Sequence, residues 1–207
     1  MLDAVLRPVI DRPLNAAGAE LARRGFSANT VTATGLAAGL LCACAVAMQS
    51  YGTAVALLVL NRVLDGLDGA VARATAPTDS GGYLDIVVDY VFYAGVPLAF
   101  AVADPARNAL PAAALLAGFC LTATGFLAFA IVAAKRGLES DAQGRKSFFY
   151  STGLVEGSET IMFFVLMMLM PMWFPYIAWL FAVLCVVTAV QRTVLAMKVF
   201  GSTPHAK

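Results

Sequence analysis

The chain has 207 residues, 60% of them hydrophobic and 13% charged, against about 45–50% and 25% in soluble domains. That is more apolar surface than one water-soluble core encloses, and the apolar runs reach the roughly 17 to 25 residues that cross a bilayer, so a soluble globular domain is excluded. A net charge of +1 points to neither nucleic acid nor an acidic partner.

From the N-terminus, residues 2–24 have spaced rather than continuous apolar positions, which is not the pattern of a signal peptide. Leu2, Val5, Leu6, Val9, Leu14 and Ala17 fall on one side of a helix, with Asp3, Arg7, Asp11, Arg12 and Glu20 mostly on the other. This predicts an amphipathic helix lying in the membrane interface, or one packed on protein, kinked or divided at Pro8 and Pro13. Six spanning segments follow, at about 31–48, 53–74, 82–102, 109–134, 148–170 and 174–199, with Ser27 or Asn29 available to cap the first. The expected fold is all-α: six transmembrane helices preceded by an interfacial amphipathic helix. It is read as a single membrane domain over 1–207, made of the helix at 2–24, a bundle at 31–199 and a polar tail at 200–207.

Cys42, Cys44, Cys120 and Cys185 lie inside apolar segments without a CxxC spacing and read as small buried hydrophobes. His205, the single histidine, is in the tail, which argues against a histidine triad or a zinc site. Six spans put both termini and the 75–81 and 135–147 connections on one side of the membrane. Of the 14 Lys and Arg residues, all but Arg107 fall near that side. By the positive-inside rule that side is the cytoplasm, so the protein is read as a multi-pass protein of the cytoplasmic (inner) membrane.

The segment NRVLDGLDGAVARATAPTDSGGYLDIVVDY places Asp65, Asp68, Asp85 and Asp89 between long apolar runs. Each carboxylate at a bilayer centre costs roughly 2.5–3.5 kcal/mol, so something must offset four of them. At 100° per residue Asn61, Asp65, Asp68 and Ala72 lie within roughly 60° on one helix face. Asp85 and Asp89, four apart, share a face of the next helix, and the short link at 75–80 lets the two faces meet near the cytoplasmic end. Oxygen ligands without histidine favour Mg²⁺ or Mn²⁺, and a pair of such ions holds a diphosphate. Gly69, Gly81, Gly82 and Ala72 leave backbone open to a phosphate ligand, and Arg73 adds positive charge. Two other readings remain at this point: acids paired structurally with Arg62 and Arg73, or an ion or proton pathway.

Asp65-x-x-Asp68-Gly69-x-x-Ala72-Arg73, seven residues, then Gly81-x-x-x-Asp85-x-x-x-Asp89 resembles the signature of the CDP-alcohol phosphotransferase family, with eight residues specified over 25 positions. Asn29-x-x-Thr32 resembles a weaker family feature. The resemblance implies six spans, a cytoplasm-facing site, a homodimer, and transfer of a phosphatidyl group from a CDP-linked lipid, usually CDP-diacylglycerol, to an alcohol with release of CMP. It further implies Asp65, Asp68, Asp85 and Asp89 as metal ligands, with Asp89 also the general base. It assigns Asp68, Gly69, Ala72, Arg73 and Gly81 to the CDP site.

For the acceptor, Lys135, Arg136, Arg145 and Lys146 form a basic cluster that suits a phosphorylated alcohol such as glycerol 3-phosphate, though positive-inside topology alone also accounts for them. Glu156 and Glu159, one turn apart, either meet acceptor hydroxyls or ammonium or pair with Arg145, Lys146 or Arg192. Trp173, Tyr176 and Trp179 suit the outer interface. Two rivals stand beside the main expectation. An intramembrane prenyltransferase would carry two separate Asp-rich segments and lack DG-x-x-AR. An ion-coupled transporter would show an internal repeat or matched interrupted helices.

Overall fold

The computed structural model describes residues 2–137 and 157–201, the first nine by their backbone only. The described residues form helices without a strand: α1 (Leu2–Arg23), α2 (Ala28–Ala47), α3 (Tyr51–Ala74), α4 (Asp79–Ala103), α5 (Pro105–Lys135), α6 (Gly157–Leu169), a 3₁₀ turn (Pro171–Trp173) and α7 (Phe174–Gly201). Local chemistry sets several starts. The Ser27 hydroxyl accepts from the Thr30 N–H at 3.1 Å and caps α2. Thr78 does the same for Gly81 at the start of α4, and Asp104 for Arg107 at the start of α5, where Pro105 supplies a preset φ. Pro8 and Pro13 do not divide α1, which runs as one helix. α4 begins at Asp79, inside the expected link, because the Thr78 cap draws it three residues earlier than the apolar pattern does.

α2 packs against α3 and α4, α4 against α5, and α5 against α7, while α3 also meets α6. The core between them is aromatic and aliphatic: Phe100 stacks on Phe174 at 4.2 Å between ring centres, Phe163 on Phe181 at 4.5 Å, and Phe92 meets Phe164 edge-on at 5.9 Å. Two glycines set helix spacing. A Cβ on Gly118 of α5 would lie 2.9 Å from Cys185 Cβ of α7, and one on Gly18 of α1 would lie 2.5 Å from Ala70 Cβ of α3. α1 therefore lies against α3, with Leu14 over Gly66 and Asn15 accepting from Arg73 at 2.9 Å. Cys42 and Cys185 are buried, as expected, but Cys44 and Cys120 are exposed on outward helix faces that the apolar pattern cannot tell from inward ones.

Among the described residues, four helical stretches are long and apolar enough to cross a membrane: α2, α4, α5 and Pro171–Gly201. α3 is long enough but carries Arg62, Asp65, Asp68 and Arg73, and the described part of α6 is 13 residues. The bundle has two distinct ends. At one, Gln49 donates to the Ala103 carbonyl at 3.0 Å, and Arg107 donates to the Met172 carbonyl at 2.9 Å beside exposed Trp173. At the other, the α2 start meets the α3–α4 turn, and Arg136 at the end of α5 donates to the Phe200 carbonyl at 2.9 Å near the end of α7.

Candidate active site

α3 turns Asn61, Asp65 and Asp68 into the bundle and leaves Val59, Leu60 and Val63 on its outer face. The four-residue and three-residue spacing of its polar positions is what permits this division. Asp68, 6% exposed, is the most enclosed of the four carboxylates. Its Oδ2 accepts from the Thr32 hydroxyl of α2 at 2.8 Å, the partner that a buried carboxylate requires.

Asp65 and Asp89 are half-buried and share one cation. Arg62 donates from Nη1 to Asp65 Oδ2 at 3.4 Å, and from both terminal nitrogens to Asp89 Oδ1 at 3.2 Å. Asp85, one turn before Asp89 on α4, is exposed. Asp65 of α3 and Asp89 of α4 thus meet through Arg62, while Asp68 and Asp85 line one cavity.

A cavity of about 170 Å³ opens where the α2 start, the end of α3 and the start of α4 meet. Asp68, Gly69, Ala72, Gly81 and Asp85 line it, joined by Asn29 and Thr32 from α2. A Cβ on Gly81 would stand 3.1 Å from Thr78 Oγ1 and 3.5 Å from Asn29 Oδ1, so a side chain here would crowd this wall of the cavity. Arg73 is outside that lining: its guanidinium is bound to Asn15 of α1, with Nη1 3.2 Å from where a Gly69 Cβ would be. It stands at the rim beside Gly69.

Two carboxylates in one cavity repel a phosphate ligand unless a cation intervenes. The donors present are carboxylate, hydroxyl and amide oxygens, a set that fits a hard divalent cation such as Mg²⁺ or Mn²⁺. Among the described residues no three acids stand close enough to enclose an ion as they lie, and Arg62 occupies the space between Asp65 and Asp89.

A second cavity, about 200 Å³, lies between α4, α5, α6 and α7. Tyr90 and Tyr93 of α4 line it, immediately after Asp89 in sequence, with Thr160 of α6 and Arg192 of α7. The Arg192 Nη1 lies 3.4 Å from the Thr122 carbonyl, and its guanidinium sits 5.9 Å from the Phe126 ring centre.

Of the acceptor residues expected from sequence, Lys135, Arg136 and Glu159 are among the described residues. Arg136 is bound at the α7 end and stacks over Phe200 at 5.2 Å, and Lys135 is exposed at the end of α5. Glu159 begins α6 but is not in the lining of the second cavity, although Gly157 and Thr160 are. Arg145, Lys146 and Glu156 lie outside the described residues. Sequence reasoning gave Arg192 only as an ion-pair partner. The signal for more was an arginine inside the last apolar run, since such residues face a bundle interior or a cavity.

A family model for CDP-alcohol phosphatidyltransferase matches residues 26–191. The inner membrane protein YnjF of Escherichia coli is 44% identical over 192 residues, covering 93% of this chain and 93% of that one. Archaetidylinositol phosphate synthase of Pyrococcus horikoshii is 33% identical over 103 residues, covering 49% of this chain and 55% of that one. A crystal structure of Mycobacterium tuberculosis phosphatidylinositol phosphate synthase with CDP-DAG bound shares the fold. It aligns with a TM-score of 0.66 at 21% identity, covering 94% of this chain and 96% of that one.

Proposed function

The chain belongs to the CDP-alcohol phosphatidyltransferase family, and from that premise we propose that it transfers the phosphatidyl group of CDP-diacylglycerol to an alcohol at the cytoplasmic face of the membrane, releasing CMP. The observation that carries this reading is the position of Asp89 on α4. It follows the cavity lined by Asp68, Gly69, Ala72, Gly81 and Asp85, and it directly precedes Tyr90 of the second cavity. The first cavity receives the CDP diphosphate, with Arg73 at its rim, and the second receives the acceptor.

Asp65, Asp68, Asp85 and Asp89 would hold a pair of Mg²⁺ or Mn²⁺ ions, which neutralise the diphosphate when bound. Asp89 accepts the acceptor's hydroxyl proton as that oxygen bonds to the lipid phosphorus and the phosphorus–oxygen bond to CMP breaks. Thr32 holds Asp68 in orientation. Arg192 draws an anionic group of the acceptor into the second cavity, and glycerol 3-phosphate is the leading acceptor. The rings of Tyr90, Tyr93, Phe119 and Phe126 in the same lining favour a second reading, a quaternary ammonium alcohol held over aromatic faces.

The whole chain acts as one membrane domain with six spans and cytoplasmic termini. The apolar outer face of α3 supports counting it as a span despite its charges, and the single basic residue Arg107 at the end away from the cavities supports the orientation. The seating of α1 on α3 fits an interfacial helix held against the bundle. A homodimer is carried over from the family pattern. The test is CMP release from CDP-diacylglycerol and Mg²⁺, with glycerol 3-phosphate, inositol phosphate, inositol, serine and choline offered singly. Acceptor-dependent release that EDTA abolishes is the expected result. Absence of both release and CDP-lipid binding overturns the reading and returns the carboxylates to an ion pathway.

A further inference from the structure

Arg62 is outside the eight-residue signature, yet its side chain, 18% exposed, uses every guanidinium nitrogen. Nε and Nη2 donate to Asn61 Oδ1 at 2.8 and 2.6 Å, and Nη1 and Nη2 reach Asp65 and Asp89. The cation also lies 4.9 Å from the Phe92 ring centre and 5.8 Å from that of Tyr93. Asn61 is itself 1% exposed and donates from Nδ2 to the Gly35 carbonyl at 2.8 Å. A continuous chain of contacts therefore runs from the α2 backbone through Asn61 and Arg62 to the α4 carboxylate.

The contact with Asp89 is one-sided. Both terminal nitrogens meet Oδ1 rather than forming a fork across the two oxygens, and among the described residues Oδ2 receives no hydrogen bond. A general base needs this arrangement, with one oxygen fixed and the other left to take a proton. A structural ion pair gains more from the bidentate form.

We propose that Arg62 is a positioning residue, which fixes Asp89 by a single oxygen and supplies the resident positive charge against which a divalent cation must bind at Asp65 and Asp89. The role of Asp89 as base rests on the transferase reading above; the charge does not. The two roles separate by substitution. Lys at this position keeps the charge, but a single ammonium cannot serve Asn61 and Asp89 in one plane. Gln removes the charge.

Full-length wild type, Arg62→Lys and Arg62→Gln would be compared in detergent for Mn²⁺ binding by electron paramagnetic resonance, for CDP-diacylglycerol binding, and for acceptor-dependent CMP release. Mn²⁺ should bind at least tenfold more tightly to Arg62→Gln and within about threefold of wild type to Arg62→Lys, because removing an adjacent like charge favours the ion. Both variants should lose about a hundredfold in kcat, with the KM for CDP-diacylglycerol within about threefold. A purely structural ion pair predicts otherwise, with Lys restoring kcat along with thermal stability. Wild-type turnover by Arg62→Lys, or unchanged Mn²⁺ affinity in Arg62→Gln, overturns the proposal. If the wild type neither releases CMP with any acceptor nor binds CDP-diacylglycerol, the transferase reading fails by itself, and the Mn²⁺ comparison still decides whether Arg62 sits on those carboxylates.

Discussion

Thr32 contributes one hydroxyl, and the proposed chemistry depends on it disproportionately. Its bond to Asp68 Oδ2 crosses from α2 to α3 between two buried residues at the wall of the first cavity, and losing it leaves that carboxylate short of a partner. Outer partners of metal ligands are typically worth 10- to 100-fold in affinity. Thr32→Val, which keeps the shape, should therefore raise the Mg²⁺ concentration for half-maximal CMP release about tenfold, while Thr32→Ser should stay near wild type. Asp89→Asn keeps the size of the side chain and removes the proton acceptor. It should cut turnover by at least 10²-fold while leaving CDP-diacylglycerol binding within a few-fold, measured on the same preparation. Arg192→Gln distinguishes the two acceptor chemistries. A rise in the KM for glycerol 3-phosphate supports the anionic reading, and unchanged kinetics remove Arg192 from the acceptor site.

At the scale of elements, the α1–α3 contact is the least forgiving. A side chain on Gly18 meets Ala70 Cβ at 2.5 Å and the Ala70 carbonyl carbon at 2.8 Å, and backbone cannot step aside. Gly18→Val should destabilise the protein by about 1–3 kcal/mol, seen as a lower Tm in detergent, and should weaken CDP-diacylglycerol binding by freeing Arg73 from Asn15. The described helices overlap the segments expected from sequence, and four of those stretches, α2, α4, α5 and Pro171–Gly201, are long and apolar enough to span, because apolar runs of that length leave few alternatives. The inward face of α3 that carries Asn61, Asp65 and Asp68 was legible too, since spacings of three, four and seven fix a face before any packing is known. What was not legible depends on which helix faces which. Asn15 on Arg73, Thr32 on Asp68 and the grouping of Tyr90 with Arg192 join residues 36 to 102 positions apart, and no local pattern carries such pairings. The dispersal of Arg136 toward Phe200 has the same origin: proximity along the chain to a basic run says nothing about where each side chain finds its partner.

For the whole molecule, orientation is the property most directly open to measurement. In a background with Cys42, Cys44, Cys120 and Cys185 replaced by alanine, Ala106→Cys should react with an impermeant maleimide on intact cells. Ala76→Cys, in the turn beside the first cavity, should react only after permeabilisation. The reverse pattern would place the site outside. The relation of the two cavities has a kinetic consequence. They share α4 as a common wall, with Asp89 at the boundary, and among the described residues neither lining holds a serine or a histidine to carry the phosphatidyl group in between. Cys185, a cysteine of the second lining, is buried against Gly118 of α5. Direct transfer from one cavity to the other requires donor and acceptor to be bound together. Double-reciprocal plots at varied acceptor should intersect rather than run parallel, labelled CMP should not exchange into CDP-diacylglycerol when acceptor is withheld, and a chiral thiophosphate donor should emerge with its configuration inverted.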